Sequence, residues 1–380
     1  MIASDRAHEA RARPSRGASG LDHARANRFL LVVREGPAGA PSALAASAEE
    51  LAAEVAPCGW GEPDFVHIAH AFLTLDDTKR AIDAVCRAPV AVFDCEQFEP
   101  GIMFLIAIRG AVRSGVSLLV NAFPPTTGPG FIPYSLQCVA FANAPAKAPE
   151  GLAQQLARLA CESLLEQERD PEYRDLPAYE ALRRRAGLVP EQRDETLVLC
   201  PYAAPYSQVC WMPILGPMLA SVGRLRRLGD HTSARLASDI FHVRLRDHPR
   251  CIADWTCLRP DLFYELGVRI ATHRGGILHV MADGASWYPP ASVPHTNTRL
   301  GRWPCPTWQA AVAKHNAALT HTRDLLALFS PVRYAIGSRQ APLLEDALSQ
   351  WIGRRDEGHG VEGVLNRVIS PGTPEGGAAS

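Results

Sequence analysis

Lysine is almost missing from this chain: Lys79, Lys147 and Lys314 are the three lysines among 39 basic residues, and arginine supplies the rest. We read that bias as the mark of a GC-rich genome. The 39 basic residues face 40 acidic ones, for a net charge of -1. The field of one sign that nucleic acid or an anionic membrane would need is therefore absent. No apolar run approaches the roughly 18 residues of a membrane span. The ten cysteines include no CxxC pair, and the closest two, Cys251 and Cys257, lie six apart. Cysteines so spaced are too dilute for a disulfide framework, and reduced, mostly buried thiols in a cytoplasmic protein are the expectation over a redox or metal role. Walker P-loop, HExxH, GxSxG and GxGxxG signatures are also missing. His242, His248 and His273 have no partner at metal-ligand spacing, so neither metal nor cofactor is expected.

What the chain does contain is length and core material. Its 380 residues are 47% apolar and 21% charged, globular in composition and long enough for two domains. Self-similarity appears at an offset of 160: Pro89 to Ala122 (PVAVFDCEQFEPGIMFLIAIRGAVRSGVSLLVNA) aligns without a gap on Pro249 to Ala282 (PRCIADWTCLRPDLFYELGVRIATHRGGILHVMA). Nine of 34 positions are identical, among them Asp94/Asp254, Pro100/Pro260, Arg109/Arg269 and Gly115/Gly275. Several others keep size and polarity, including Phe104/Tyr264 and Ala107/Gly267. These are diverged copies of one unit.

Each copy reads as a buried strand ending in Asp (VAVFD, RCIAD), a loop, a helix opening on Pro, a glycine stop and a second apolar strand. That is a βαβ unit, and the elements upstream of each copy continue the alternation. The expected fold class is α/β: two tandem flavodoxin-like units, each a doubly wound parallel sheet. The division reads as a disordered tail over 1–27, a degenerate repeat over 28–149 and a helical linker over 150–190. A second repeat follows over 191–290, then a loop with C-terminal helices over 291–367, and a disordered tail over 368–380.

In open parallel sheets, ligands sit beyond the carboxyl ends of the strands at the topological switch point. The second copy gathers Asp254, Trp255, Thr256, Arg259, Asp261, Tyr264 and Glu265 there. Asp261 and Glu265 are four apart near a helix start, so their carboxylates share a face. Acidic residues in a first turn also suit the helix dipole, a purely structural use. The first copy has Gly101 and Leu105 at those two positions, and Glu96 and Glu99 where the second has Thr256 and Arg259.

The stretch ADWTCLRPDLFYELGVRIA resembles the nucleoside 2-deoxyribosyltransferase-like superfamily, which is structurally related to TIR-type domains that cleave NAD. The resemblance covers roughly 195–282 and centres on ADWT…FYELG. It implies Glu265 as nucleophile on the anomeric carbon of a nucleoside or nucleotide, NAD among them, with Asp254 binding substrate or handling a proton. Arg259-Pro260-Asp261 stands where the superfamily often has Asn-Pro-Asn, which bears on sugar or phosphate recognition. Cleavage of an N-glycosidic bond passes through an oxocarbenium-like state that a carboxylate stabilises or traps, while an acid, here Asp254 or Asp261, protonates the departing base. Aromatic rings to stack that base are expected from Trp255, Tyr202 and Tyr206. Thr256, Arg259 and Tyr264 complete the expected substrate contacts. Because members complete their sites across subunits, the resemblance also implies that the degenerate copy replaces a partner as an internal pseudo-dimer, open to further oligomerisation. The competing expectation is a non-catalytic nucleotide-binding sensor or scaffold in which Glu265 is only a helix-start residue.

Overall fold

The computed structural model describes residues 29–35, 41–95, 99–112, 115–120, 142–144, 151–169, 195–200, 207–220, 223–227, 242–256, 260–273, 276–282, 323–335, 342–353 and 360–369. The first unit runs β1 (Phe29–Val33), α1 (Ala48–Val55), β2 (Asp64–His67), α2 (Leu75–Arg87), β3 (Val90–Asp94), α3 (Pro100–Val112), β4 (Val116–Val120), β5 (Ala142–Ala144) and α4 (Leu152–Arg169). The second runs β6 (Glu195–Leu199), a π-helical segment (Ser207–Leu215), β7 (Arg224–Arg227), β8 (Arg250–Asp254), α5 (Pro260–Thr272), β9 (Ile277–Ala282), β10 (Val332–Tyr334), α6 (Pro342–Gly353) and α7 (Val361–Ile369). Residues 242–247 and 323–329 are also helical.

Both sheets have five strands and every pairing is parallel. Their orders, β2-β1-β3-β4-β5 and β7-β6-β8-β9-β10, are the same doubly wound order. The duplication extends to register: Asp94 pairs with Val120 and Asp254 with Val280, and Cys95 N–H and Trp255 N–H donate to the carbonyls of those same valines.

Strands buried on both faces explain the unbroken apolar runs. Phe29, Leu31 and Val33 enter an outer core with α1 and α4, while Leu30 and Val32 enter a central core. In the second sheet Val198 and Cys200 face the π-helical segment and α6, and Leu197 and Leu199 join the same central core. The result is five layers, with α2, α3, α5 and α7 between the sheets.

Several sequence boundaries shift. Helix α4, read as part of a linker, packs on α1 and β4 and belongs to the first unit; α6 covers the second sheet in the corresponding way. The segment after β6 is π-helical from Ser207 to Leu215, with Pro213 inside it. Strand β10 was not expected, and α7 continues to Ile369, two residues into the stretch read as a tail. The terminal stretches 1–27 and 370–380 lie outside the described residues. Cys86, Cys95, Cys161, Cys200 and Cys251 are free thiols.

The repeated arginines are buried staples. Arg109 donates from Nη1 to the carbonyls of Val85 (2.5 Å) and Ala88 (2.8 Å), from Nη2 to Pro89 (3.2 Å) and Val116 (2.9 Å), and from Nε to Ser117 Oγ (2.7 Å). Arg269 donates to Leu245, His248 and Pro249, the counterparts of Val85, Ala88 and Pro89. Each guanidinium collects the carbonyls where one helix ends and the next strand begins, groups that would otherwise be buried without donors. Replacing Arg109 by Met should therefore destabilise the chain by about 3 kcal/mol, read from urea unfolding, with Lys failing to restore the loss because it lacks the planar fork.

Helices α3 and α5 meet face to face at repeat-equivalent positions. A Cβ on Gly267 would lie 2.5 Å from the Phe104 carbonyl oxygen and 2.7 Å from Ala107 Cβ. Ala107 is the counterpart of Gly267, so a local two-fold relation passes through the contact, as in an isologous dimer. Gly267→Ala should lower stability by about 1–3 kcal/mol in thermal or urea unfolding, although alanine is the better helix former, because the obstructing atom is backbone and cannot rotate away.

Candidate functional site

The second unit's switch point lies where β6 and β8 end side by side. Asp254 closes β8 at 1% exposure, and three donors among the described residues reach it: Thr256 N–H (3.0 Å) and Thr256 Oγ1 (2.5 Å) at Oδ1, and Tyr334 O–H (2.8 Å) at Oδ2. Ala282 N–H in turn donates to Thr256 Oγ1 at 3.0 Å. The Thr256 and Tyr334 oxygens are 3.0 Å apart, with both hydroxyl protons already directed at Asp254. The cluster therefore ties the ends of β8, β9 and β10 together around an acceptor.

Trp255 is fully buried, not presented to a ligand. Its ring lies against Phe263 (4.8 Å between centroids) and is nearly coplanar with the His279 ring beside it (5.8 Å, 11°). Its Nε1–H donates to His279 Nδ1 at 2.9 Å, which places the histidine proton on Nε2, 2.7 Å from Glu362 Oε1 on α7. The base-stacking role expected of Trp255 is thus corrected by packing: the ring is fully enclosed and its one donor is taken. Tyr264 is also buried, its hydroxyl 3.1 Å from His242 Nε2.

Glu265 sits on α5, 6% exposed. Its carboxylate and that of Asp254 both act on the thiol of Cys200, which follows β6. That thiol is pushed up to about 12, first by burial, with Arg227 opposing and the two carboxylates adding. Cys200 therefore stays a neutral thiol at ordinary pH. Cys251, within β8, is likewise pushed up to about 12 by burial, with Arg269 opposing and Glu265 and Glu362 adding.

Two residues of this region escaped the sequence reading. Arg227, the last residue of β7, donates from Nε to Cys200 Sγ at 3.3 Å and lies over the Trp211 ring, 4.7 Å from its centroid. Trp211 is only partly buried, so a half-open aromatic stands beside a guanidinium at the strand ends. The readable signal was the arginine closing the RLRR strand. Tyr202, Tyr206 and Arg259 lie outside the described residues; Asp261 is the second residue of α5, with its side chain outside the described set. No group of three metal-ligating side chains occurs among the described residues, and no described helix is long and apolar enough to cross a membrane. Comparison with family models, curated proteins and solved structures finds no match to this chain.

Tyr334→Phe removes one donor from buried Asp254 and should cost about 2 kcal/mol in chemical unfolding. A cost near zero would show that the hydroxyl does not support the cluster.

Proposed function

We propose that the second unit cleaves or transfers the N-glycosidic bond of a nucleoside or nucleotide, NAD included, with Glu265 as the nucleophile. The observation that carries this reading is that Glu265, buried on α5, and Asp254, closing β8, both bear electrostatically on the Cys200 thiol at the end of β6, a thiol too basic to compete. In the reaction, the Glu265 carboxylate attacks the anomeric carbon as the bond to the base breaks. The electron pair leaves with the base, which takes a proton, and water or a second base then releases the glycosyl group from Glu265. With Asp254 engaged by Thr256 and Tyr334, it serves as a positioning residue, and Asp261 is the carboxyl assigned to the leaving base. Trp211 and Arg227 are the aromatic and cationic groups at hand for base and phosphate.

Incubation of the purified chain with NAD, deoxynucleosides and nucleoside monophosphates should release free base, and Glu265→Gln should slow release by roughly a hundredfold or more. Equal release by both proteins, or none with any substrate, removes the nucleophile.

The saturation of Asp254 favours a second reading, a nucleotide-binding module without turnover. It predicts a ligand-dependent rise in Tm with no product formed.

A further inference from the structure

The first unit, read as the degenerate copy, carries its own buried polar cluster at the equivalent place. Arg34 follows β1, Asp94 closes β3, and Glu99 stands immediately before α3; they are 8%, 1% and 5% exposed. Arg34 Nε lies 3.6 Å from Asp94 Oδ2, and the Ser42 hydroxyl hydrogen-bonds the Asp94 carboxylate. Glu99 Oε1 is buried with no hydrogen-bond partner. An acceptor enclosed in that way costs about 1–3 kcal/mol, which the favourable place of an acidic side chain at the start of α3 offsets only in part. The second copy has Arg259 at the equivalent position, so the charge is inverted between copies.

One guanidinium faces two buried carboxyls, with Glu35 adding a third negative charge nearby. Burial, together with Asp94 and Glu35 and against Arg34, pushes Glu99 up to about 8, so near neutrality it is mostly a neutral acid. Burial also raises Asp94, offset by Arg34 and Ser42. A metal ion is disfavoured by the fixed charge of Arg34, and no trio of metal-ligating side chains occurs among the described residues.

We infer that the switch point of the first unit is a second ligand site, taking a small organic cation whose ammonium or amidinium group donates to Glu99 Oε1 beside Asp94. A charged donor satisfies the buried acceptor and stabilises the carboxylate form of Glu99 that burial disfavours. This site stands on the first unit's own residues and does not depend on the chemistry proposed for Glu265.

Binding converts Glu99 to its carboxylate and sends its proton to solvent. The charges acting on it are those of Arg34 and Glu35 after β1 and of Asp94, beside which stand Ser42 and Cys95, whose thiol burial raises well above its ordinary value. Without ligand, a folded value of about 8 against an ordinary 4.5 means the unfolded chain binds fewer protons between those limits. Stability therefore falls as pH rises from about 4.5 to about 8, and Glu99→Gln removes that fall.

The test is isothermal titration of the full chain at pH 7 with putrescine and with agmatine, using 1,4-butanediol as the neutral control, in phosphate and in Tris. At least one amine should saturate at one per chain, and the buffer dependence should report about one proton released. Affinity for that amine should rise with pH until about 8 and then level off. Glu99→Gln, shaped like the neutral acid, should weaken binding tenfold or more and abolish proton release. Glu265→Gln should titrate like the unaltered chain. The site is overturned if neither amine saturates, if the diol binds as well, or if affinity in the unaltered chain is flat with pH.

Discussion

The close approach of α3 and α5 is the constraint on which the rest of the molecule depends. Without a side chain at Gly267, the Phe104 carbonyl and Ala107 reach the α5 backbone, and the inner faces of the two sheets merge into one core. Neither inner face is complete without the other unit: α3 is buried from Pro100 to Gly110 and α5 from Leu262 to Ile270. Glu265 lies two residues before Gly267 on the same rigid helix. The contact that joins the units therefore also sets how far the carboxylate stands from the ends of β6 and β8.

Within that shared frame the copies have diverged by changing partners around a common aspartate. Asp254 is held by Thr256 and Tyr334, toward β9 and β10. Asp94 turns instead to Arg34 and Ser42, on the β1 side. Strand-end position and register are the same, so backbone geometry does not choose between these arrangements; the neighbouring side chains do. A parallel sheet tolerates this because the polar chemistry gathers at the strand ends, while the apolar layers that hold the fold lie between them.

The repeat made much of the fold legible. Apolar runs marked the strands, Pro100 and Pro260 do open their helices, and Arg109/Arg269 hold matching carbonyls. What escaped depends on pairing at long range. Strand β10 is three residues long and lies beyond the matched segments, with no local pattern of its own. Trp255, after a strand-terminal Asp, resembles a ligand-stacking residue until its hydrogen bond to His279, itself held by Glu362 and both distant in sequence, is seen. Glu99 and Arg227 were obscured for another reason. Their importance lies in burial and in the charges they face, and residue spacing carries neither.

The asymmetry between the copies has a cause beyond the loss of carboxylates at Gly101 and Leu105. Because His279 Nδ1 accepts from Trp255, the ring must donate from Nε2, and Glu362 is its acceptor. Phe329 stacks on that ring, and Asn366 of α7 donates to the Ile270 carbonyl of α5 at 2.7 Å. Trp255 stands between Asp254 and Thr256, so α7 anchors the turn that presents both. The first copy has Cys95 in place of Trp255 and Leu119 in place of His279, neither able to take part in such a chain. The second switch point is thus ordered by chain added after β9, and divergence between the units follows as much from that addition as from decay of the first copy.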